Sequence, residues 1–461
     1  MFINMITIIT MSKIQDIIFW TKNSFRPEAM RQYRKALAFE QWGGGKIEEE
    51  NWQLRKEIVR IAYERVPFYK KFYNERDFNP SMLTTPETWE LVPILEKRFV
   101  RDNLEEMKDP SANPKFISYT QTGGSTGTPM RVYTDRRHLV EVQTWRAFGH
   151  WGISPADNEG IIHRRVPTTF VSKMKNRLLW WPTKRAYLNA SSMSWEDVAK
   201  FVNDLKHKNI VWIQGYVGGL EMVADYMIKH NLKVDTLRMV WSTSAPLHDS
   251  VRMKMERAFG CKIMNQYGCN EMGNIAMQCP HCGDLHIEYD MAHIDIVDTK
   301  GHLLMDEEGD ILLTHLRNRV APLIKYRLGD RGVRLSRQCA CGNPMPLMSP
   351  VKGRISDAVY TPSGVLITGE YLTAIFDKYA LLFSQYQVKQ WDDYSITVYV
   401  KAYKNDEITQ AALKCIQSQL NKDTRGEMPV NIELTDYIKS NKGKIQYIIS
   451  EVALKKYEVE K

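Results

Sequence analysis

The sequence predicts an α/β protein: a large amino-terminal unit of mixed and parallel sheets with helices, followed by a small α+β unit. Three observations predict this. Between about residues 116 and 330, short β-branched or apolar runs (Gly160–Ile162, Ile210–Gln214, Met239–Ser242, Lys262–Asn265) alternate with helical stretches (Trp195–His207, Gly219–His230, Asp249–Phe259). That alternation is the pattern of a largely parallel sheet. The texture then changes near Lys352-Gly353-Arg354, where shorter helices and strands begin to follow one another. Finally, 461 residues exceed what one ordinary core accommodates, so more than one domain is expected. The expected division is 1–353 and 354–461.

Taken in order, residues 1–100 read as a helical lead-in. The first ten, MFINMITIIT, are apolar but lack a preceding basic region and a small-residue cleavage site, so no secretory signal is expected. Ile58, Ile61, Ala62 and Val66 recur at helical spacing before Pro67. Trp52, Tyr63, Phe68, Tyr69 and Phe72 read as a packing layer rather than a ligand site. After residue 353 the pattern gives a helix around Glu370–Tyr379, a strand at Tyr394–Lys401, a helix at Asp406–Asn421 and a strand at Asn431–Leu434. The last loop, Lys439–Gln446, is basic and contains Gly443.

Composition narrows the class of function. A hydrophobic share of 43% and a charged share of 25% are those of a globular protein in water. No apolar run reaches the roughly 20 residues that cross a bilayer, so no integral membrane segment is expected. The net charge is +9, with the basic residues spread along the chain. No zinc-finger array, RNA-recognition signature or basic zipper accompanies it, so nucleic acid is not the expected partner. A polyanionic small molecule fits the same charge. Seven cysteines without a secretory signal favour a metal over disulfides and a cytoplasmic location.

Tyr119–Pro129, YTQTGGSTGTP, places Gly123, Gly124 and Gly127 among Thr122, Ser125, Thr126 and Thr128. Glycines let backbone amides approach a ligand closely, and successive amides form an anion cradle to which hydroxyls add donors. The chemistry implied is a grip on polyphosphate; the rival reading is a solvated loop. No lysine lies in the window, so the cation must come from elsewhere. Met264–Glu271 runs from a strand into Tyr267, Gly268, Asn270 and Glu271. An aromatic at a strand end can stack on a base, and a carboxylate can hold Mg²⁺ between phosphates; an ordinary strand-to-turn junction is the alternative. Asp330 sits in a Gly-Asp turn, where it either closes an Asx turn or accepts from ribose hydroxyls. Arg354 offers a planar fork to phosphate and Lys444 a point charge on a flexible stem.

Cys279-Pro-His-Cys282-Gly and Cys339-Ala-Cys341-Gly are knuckle-like pairs. Four thiolates suit tetrahedral zinc, with His281 and His286 as rival ligands. Cys261, Cys269 and Cys415 are expected to be free packing thiols.

In this order, Thr122–Pro129, Tyr267–Glu271, Asp330, Arg354 and Gly443-Lys444 resemble the adenylate-forming superfamily of acyl-CoA ligases. The likeness is strongest to its branch of phenylacetate–CoA ligases and capsule-polysaccharide adenylyltransferase-like proteins. VPFYKKFY in the lead-in, Gln214-Gly-Tyr216, Ser244-Ala-Pro-Leu247 and Pro322–Arg327 carry that narrower likeness, which runs from about residue 30. The resemblance implies an enzyme that activates a small carboxylic acid with ATP and Mg²⁺, releases pyrophosphate, and passes the acyl group to coenzyme A or another acceptor. A place in surface polysaccharide biosynthesis and a monomer or homodimer are expected; a non-catalytic nucleotide-binding protein on the same scaffold is the alternative. In the implied assignment, Thr122 to Thr128 wrap the β- and γ-phosphates, Tyr267 packs on adenine, and Glu271 helps hold Mg²⁺. Asp330 binds the ribose, Arg354 lies on ribose or phosphate, and Lys444 reaches the carboxylate and α-phosphate from a mobile carboxy-terminal lid that hinges near Ile355–Asp357. Related zinc-bearing members place a histidine near His286.

The sequence departs from that family between Ile161 and Leu188. Here His163, Arg164, Arg165, Lys173, Lys175, Arg177, Lys184 and Arg185 stand among Phe170, Trp180 and Trp181, where phenylacetate ligases carry glycine-rich aromatic segments. A polar or anionic acid fits this charge; a solvated basic surface or a patch resting on membrane fits it equally. Ile355-Ser356 precede Asp357, so the hinge aspartate is displaced from its usual place.

Overall fold

Five parallel strands form the centre of the molecule, in the spatial order Arg185–Asn189, Glu159–His163, Trp212–Tyr216, Met239–Thr243 and Lys262–Cys269. The computed structural model describes residues 2–121, 131–163, 166–190, 193–351, 353–354, 359–363, 366–367, 372, 375–376, 378–379, 382–438, 447–453 and 455. Of residues 2–12, 121, 353, 354 and 366 it describes the backbone alone. The last parallel strand continues into antiparallel partners, Gly273–Gln278, Leu285–Ile287, Leu347–Met348 and Arg334–Leu335, which complete a nine-stranded sheet.

The parallel strands read as apolar runs because helices cover their faces. Ile162, Ile213, Val240 and Ile263 are buried against Phe201, Leu220 and Met255 of three flanking helices. Those helices are Trp195–His207, Val217–Lys229 and Asp249–Phe259; the first and third match the expected bounds. Ser194 and Asp197 close a capping box at the start of the first. Gly260, at φ 71°, ends the third in the left-handed conformation that glycine adopts without strain.

The lead-in is helical throughout: Phe2–Ser24, Pro27–Glu40, Gly44–Arg65 and Pro67–Asn74. Its aromatics are a packing layer, as expected. Tyr69 and Tyr73 are fully buried, and Tyr69 donates to the Pro322 carbonyl at 2.8 Å. This layer shares one apolar core with a four-stranded antiparallel sheet of Ala292–Val297, Gly309–His315, Tyr326–Gly332 and Gly353–Arg354. The helix Val140–His150 bridges both regions through Arg146, which is buried between Glu288, Asp290 and Glu40.

Beyond residue 353, a second apolar core runs from Val359 to Ile448. It lies under a sheet ordered Val430–Leu434, Ile396–Ala402, Phe383–Gln390 and Ile448–Ser450, with the helix Glu407–Asp423 against it. The α+β pattern is therefore observed. Its longest strand, Phe383–Gln390, escaped the sequence reading because FSQYQVKQ carries few apolar side chains. Buried Gln390 instead donates to the Tyr360 carbonyl at 2.6 Å and accepts from Ser450 at 2.7 Å. Most of the helix expected around Glu370–Tyr379 lies outside the described residues, although Leu372, Ile375 and Phe376 are helical.

Two expectations need correction. Cys415 is exposed on the helix Glu407–Asp423 and is not a packing thiol, because it lies on the helix face turned away from Leu413 and Ile416. The run after His163, read only as a basic segment, contains a helix, Phe170–Trp180, and the edge strand Arg185–Asn189. That helix hides no residue in the core, so the usual apolar-inward periodicity is missing.

Candidate active site

Ligands of open parallel sheets settle beyond the carboxyl ends of the strands. In this sheet those ends present His163, Asn189, Tyr216, Thr243 and Cys269. The strand that comes first in the chain, Glu159–His163, lies between the second and third, so the crossovers diverge between it and Trp212–Tyr216. His163 and Tyr216 meet at that divergence with ring centroids 5.0 Å apart. The sequence quoted Tyr216 only as part of a likeness and His163 only as charge; neither had a local signal to mark it. Ser244, just past the next strand end, holds φ at 76°, a conformation uncommon for a residue other than glycine.

Tyr267 stands near the end of the strand Lys262–Cys269, and Asp330 on the strand Tyr326–Gly332 of the other sheet. The two meet: the Tyr267 hydroxyl donates to Asp330 Oδ2 at 3.0 Å, and both side chains are buried. Glu271 is also buried, in the turn that joins Lys262–Cys269 to Gly273–Gln278. Cys269 reports their closeness. Burial first, and then the carboxylates of Glu271 and Asp330, push its thiol well above the ordinary range. Gly268 is required where it stands: a Cβ there would lie 2.5 Å from the Gly273 carbonyl oxygen of the paired strand. Asn270 is exposed in the same turn.

Around Tyr267 the strand ends are braced by side chains that sequence reasoning passed over. Trp241 Nε1 donates to Gln266 Oε1 at 3.0 Å, Gln266 Nε2 to Asn274 Oδ1 at 2.5 Å, and Asn274 Nδ2 to Thr144 Oγ1 at 3.1 Å. Isolated amides in strands carry no local signature, so only the fold identifies them.

Arg354 enters through its backbone, as the Cα partner of Asp330 across the antiparallel sheet. Thr122, Gly123, Gly124, Ser125, Thr126, Gly127 and Thr128 lie outside the described residues, as do Ile355–Asp357 and Lys444. The strands flanking the glycine-rich run, Ile117–Gln121 and Arg131–Asp135, pair antiparallel with Gln121 opposite Arg131. The segment that carries Lys444 is bounded by Tyr447, whose hydroxyl donates to buried Glu221 at 3.2 Å. Tyr403 donates to Asp225 at 3.4 Å, and Lys254 bridges Glu221 and Asp225 at 2.6 and 3.0 Å. The carboxy-terminal residues thus rest on the helix Val217–Lys229, which begins directly after Tyr216.

The two cysteine pairs converge. Ligand atoms of Cys279, His286, Cys339 and Cys341 all lie within 4.8 Å of one another. His286 Nε2 is 3.4 Å from Cys341 Sγ, and its Nδ1 faces the Met345 carbonyl at 3.3 Å. A backbone carbonyl on one ring nitrogen leaves the other free to ligate. Backbone amides of His281 and Asn343 point at Cys279 Sγ and Cys341 Sγ, each at 3.4 Å. Burial raises the Cys279 thiol, but the Cys282 and His281 amides outweigh it and hold the group below its ordinary value. Cys282, expected as a ligand, stands outside the mutually close set, with its sulfur 3.3 Å from Cys339 Sγ; burial pushes its thiol up to about 12. The donor chemistry fits a tetrahedral zinc of the Cys₃His kind.

The helix of the basic segment lies on the surface, while Arg164 and Arg165 are outside the described residues. Lys173, Lys175 and Arg177 are exposed, while Arg185 is engaged with Glu159 at 2.5 Å and with the Trp180 ring at 3.5 Å.

An open parallel sheet, with a tyrosine and two carboxylates buried together at one strand end, defines an α/β protein with its candidate site at the carboxyl edge of that sheet. The AMP-binding enzyme family matches residues 46–315, more than half of the chain, and the protein belongs to that family. Among its relatives is the CapK protein of Staphylococcus aureus, 21% identical over 285 residues, 60% of this chain and 61% of that protein. The match thus spans less than two thirds of that relative. A phenylacetate-coenzyme A ligase of Thermus thermophilus is 23% identical over 313 residues, 66% of this chain and 69% of the relative. A crystal structure of a 2-hydroxyisobutyryl-CoA ligase with a bound acyl-adenylate superposes with a TM-score of 0.67 at 16% identity, covering 89% of this chain and 91% of that one. The adenylate-forming fold expected from the sequence is therefore the fold observed.

Proposed function

We propose that the protein joins a small carboxylic acid to AMP and then transfers the acyl group to coenzyme A or another nucleophile. The buried contact between Tyr267 and Asp330 carries this reading, because it joins two separate sheets at the edge where a nucleotide settles. In the first half-reaction a carboxylate oxygen attacks the α-phosphorus of ATP. The bond from that phosphorus to the bridging oxygen breaks, and pyrophosphate leaves with the electron pair. In the second, the acceptor attacks the acyl carbon and AMP departs.

The residues divide this work. The Tyr267 ring packs on adenine while its hydroxyl fixes Asp330, which binds the ribose hydroxyls. Thr122–Thr128 supply amide and hydroxyl donors to the β- and γ-phosphates. Lys444 and Arg354 offset the charge that builds between two anions. Glu271 fits as a ligand for Mg²⁺, which when bound neutralises the phosphates. Residues 354–461 act as a lid that brings Lys444 in and withdraws it for the second step.

Cys279, His286, Cys339 and Cys341 hold a structural zinc that ties the turn after Gly273–Gln278 to the turn before Leu347–Met348. With all four positions taken by protein, no place is left for substrate. A role in surface polysaccharide formation, with a polar acid as substrate, is the reading that the sequence resemblance suggests, and the 21% identical CapK protein is consistent with that branch. Incubation with ATP, Mg²⁺ and an acid library, scored by acid-dependent pyrophosphate release, tests the reading. ATP binding without turnover on any acid would instead favour a non-catalytic nucleotide-binding protein.

A further inference from the structure

The helix Phe170–Trp180 is built inside out. A surface helix ordinarily turns its apolar stripe to the core and its charges to water. Here Ser172, Asn176 and Trp180, one turn apart, are the only residues of the helix that are partly covered. Asn176 accepts from the Tyr187 hydroxyl at 3.4 Å, and Trp180 lies under the Arg185 guanidinium. On the opposite side the apolar side chains face solvent: Phe170 is 79% exposed, Val171 75%, Met174 49% and Leu178 80%; Leu179, two turns after Ser172, is still 64% exposed, and Trp181 just beyond the helix 59%. At 3.6 residues per turn, Lys173 and Arg177 fall on one margin of this apolar face and Lys175 on the other. From Gly160 to Trp195 the sequence contains no acidic residue.

A second helix adjoins this face. Lys22 of Phe2–Ser24 donates to the Trp181 carbonyl at 2.5 Å, and Gln15 to the Pro182 carbonyl at 3.4 Å. Ile14 and Ile17 on that helix are exposed, as is Phe25 just after it, and the sequence before Lys13 carries no charge. Neither helix is long and apolar enough to cross a bilayer.

We propose that this face seats the protein on an anionic lipid surface, with the apolar side chains in the headgroup boundary and the flanking lysines and arginines on lipid phosphates. An apolar centre with cationic margins is the arrangement that such surfaces select, because long basic side chains reach outward to phosphates while their stems stay apolar. A second copy of the chain fits poorly. Pairing two such faces brings Lys173, Lys175 and Arg177 against their own kind, with no carboxylate in the segment to offset them. The inference is independent of the reaction proposed above.

Sedimentation of the full-length protein with vesicles of phosphatidylcholine, with and without phosphatidylglycerol, tests this. Binding to the anionic vesicles that weakens as salt rises is expected. Neutralising Lys173, Lys175 and Arg177 to glutamine should weaken it roughly five-fold for each charge removed. Leu178→Asp combined with Leu179→Asp should abolish it, with melting temperature and circular dichroism unchanged because neither side chain packs inside. Absence of binding at low salt, or equal binding to both vesicle types, overturns the proposal. A wild-type dimer that the double variant splits, without vesicle binding by either, overturns it in favour of self-association.

Discussion

Replacing Tyr267 with phenylalanine removes one oxygen atom and leaves the ring that is proposed to carry adenine. The lost hydroxyl donates at 3.0 Å to Asp330, and with both groups buried water has little access to replace it. A hydrogen bond to a charged group in such a place is worth about 1.5–3 kcal/mol. If Asp330 is fixed by that bond to receive ribose, the loss falls on nucleotide binding in both ground and transition states. Each 1.4 kcal/mol is a factor of about ten, so KM for ATP should rise roughly ten- to hundred-fold. The turnover number at saturating ATP should stay within about two-fold, the signature of lost uniform binding. The assay is pyrophosphate release against ATP concentration at a fixed, saturating acid. Tyr267→Ala, which also removes the ring, should raise KM further. A Y267F protein that is destabilised but keeps its KM for ATP would show that the contact holds the two sheets together and does not serve the nucleotide.

Other expectations follow from the same geometry. Lys444→Ala should abolish adenylation while ATP still binds by calorimetry, since that charge is proposed to act only as the two anions meet. Cys339→Ser or His286→Ala should reduce bound zinc from about one equivalent per chain to near none by atomic emission, whereas Cys282→Ser should retain it. Arg146→Met removes the cation that pairs directly with buried Glu288 and Asp290, and should cost about 3–5 kcal/mol in urea unfolding. His138 is half-buried with its Nε2 enclosed, and the loss of water lowers its pKa from the usual 6.5 to about 4. Between those values the unfolded chain binds the proton and the folded chain does not, so acidification from about pH 6.5 to 4 should remove up to about 3 kcal/mol of stability. Buried His293 and His315, whose pKa values are also depressed by burial, add to the same loss, so His138→Leu should lessen the dependence and leave their share in melts taken across the range.

The sequence made legible what local chemistry encodes. The helices Trp195–His207 and Asp249–Phe259 were readable from the alternation of apolar runs and helical stretches, and in the structure a capping box starts the first and Gly260 ends the second. The paired cysteines were readable because ligand spacing within each knuckle is local. What required the fold were meetings between distant residues. Tyr267 and Asp330 are 63 positions apart, and nothing in either neighbourhood says that one donates to the other. Spacing alone likewise left Cys282 and His286 as rivals. What brings the His286 ring among the cysteines is the fold, in which its Nδ1 faces the Met345 carbonyl 59 residues away.

The segment from Ile161 to Leu188 shows how one composition can be read two ways until burial is known. Its charges and aromatics suited either an acid-binding pocket or a surface, since both require cations beside apolar groups. The periodicity holds the distinction, but in reverse: polar Ser172 and Asn176 mark the inner side of Phe170–Trp180, and the apolar residues mark the outer. A rule that assigns apolar positions to the interior therefore fails on this helix. Under the proposed function, the acid would then be met by side chains at the carboxyl ends of the strands. His163 and Tyr216, in ring contact where the crossovers diverge, are the groups placed to meet it.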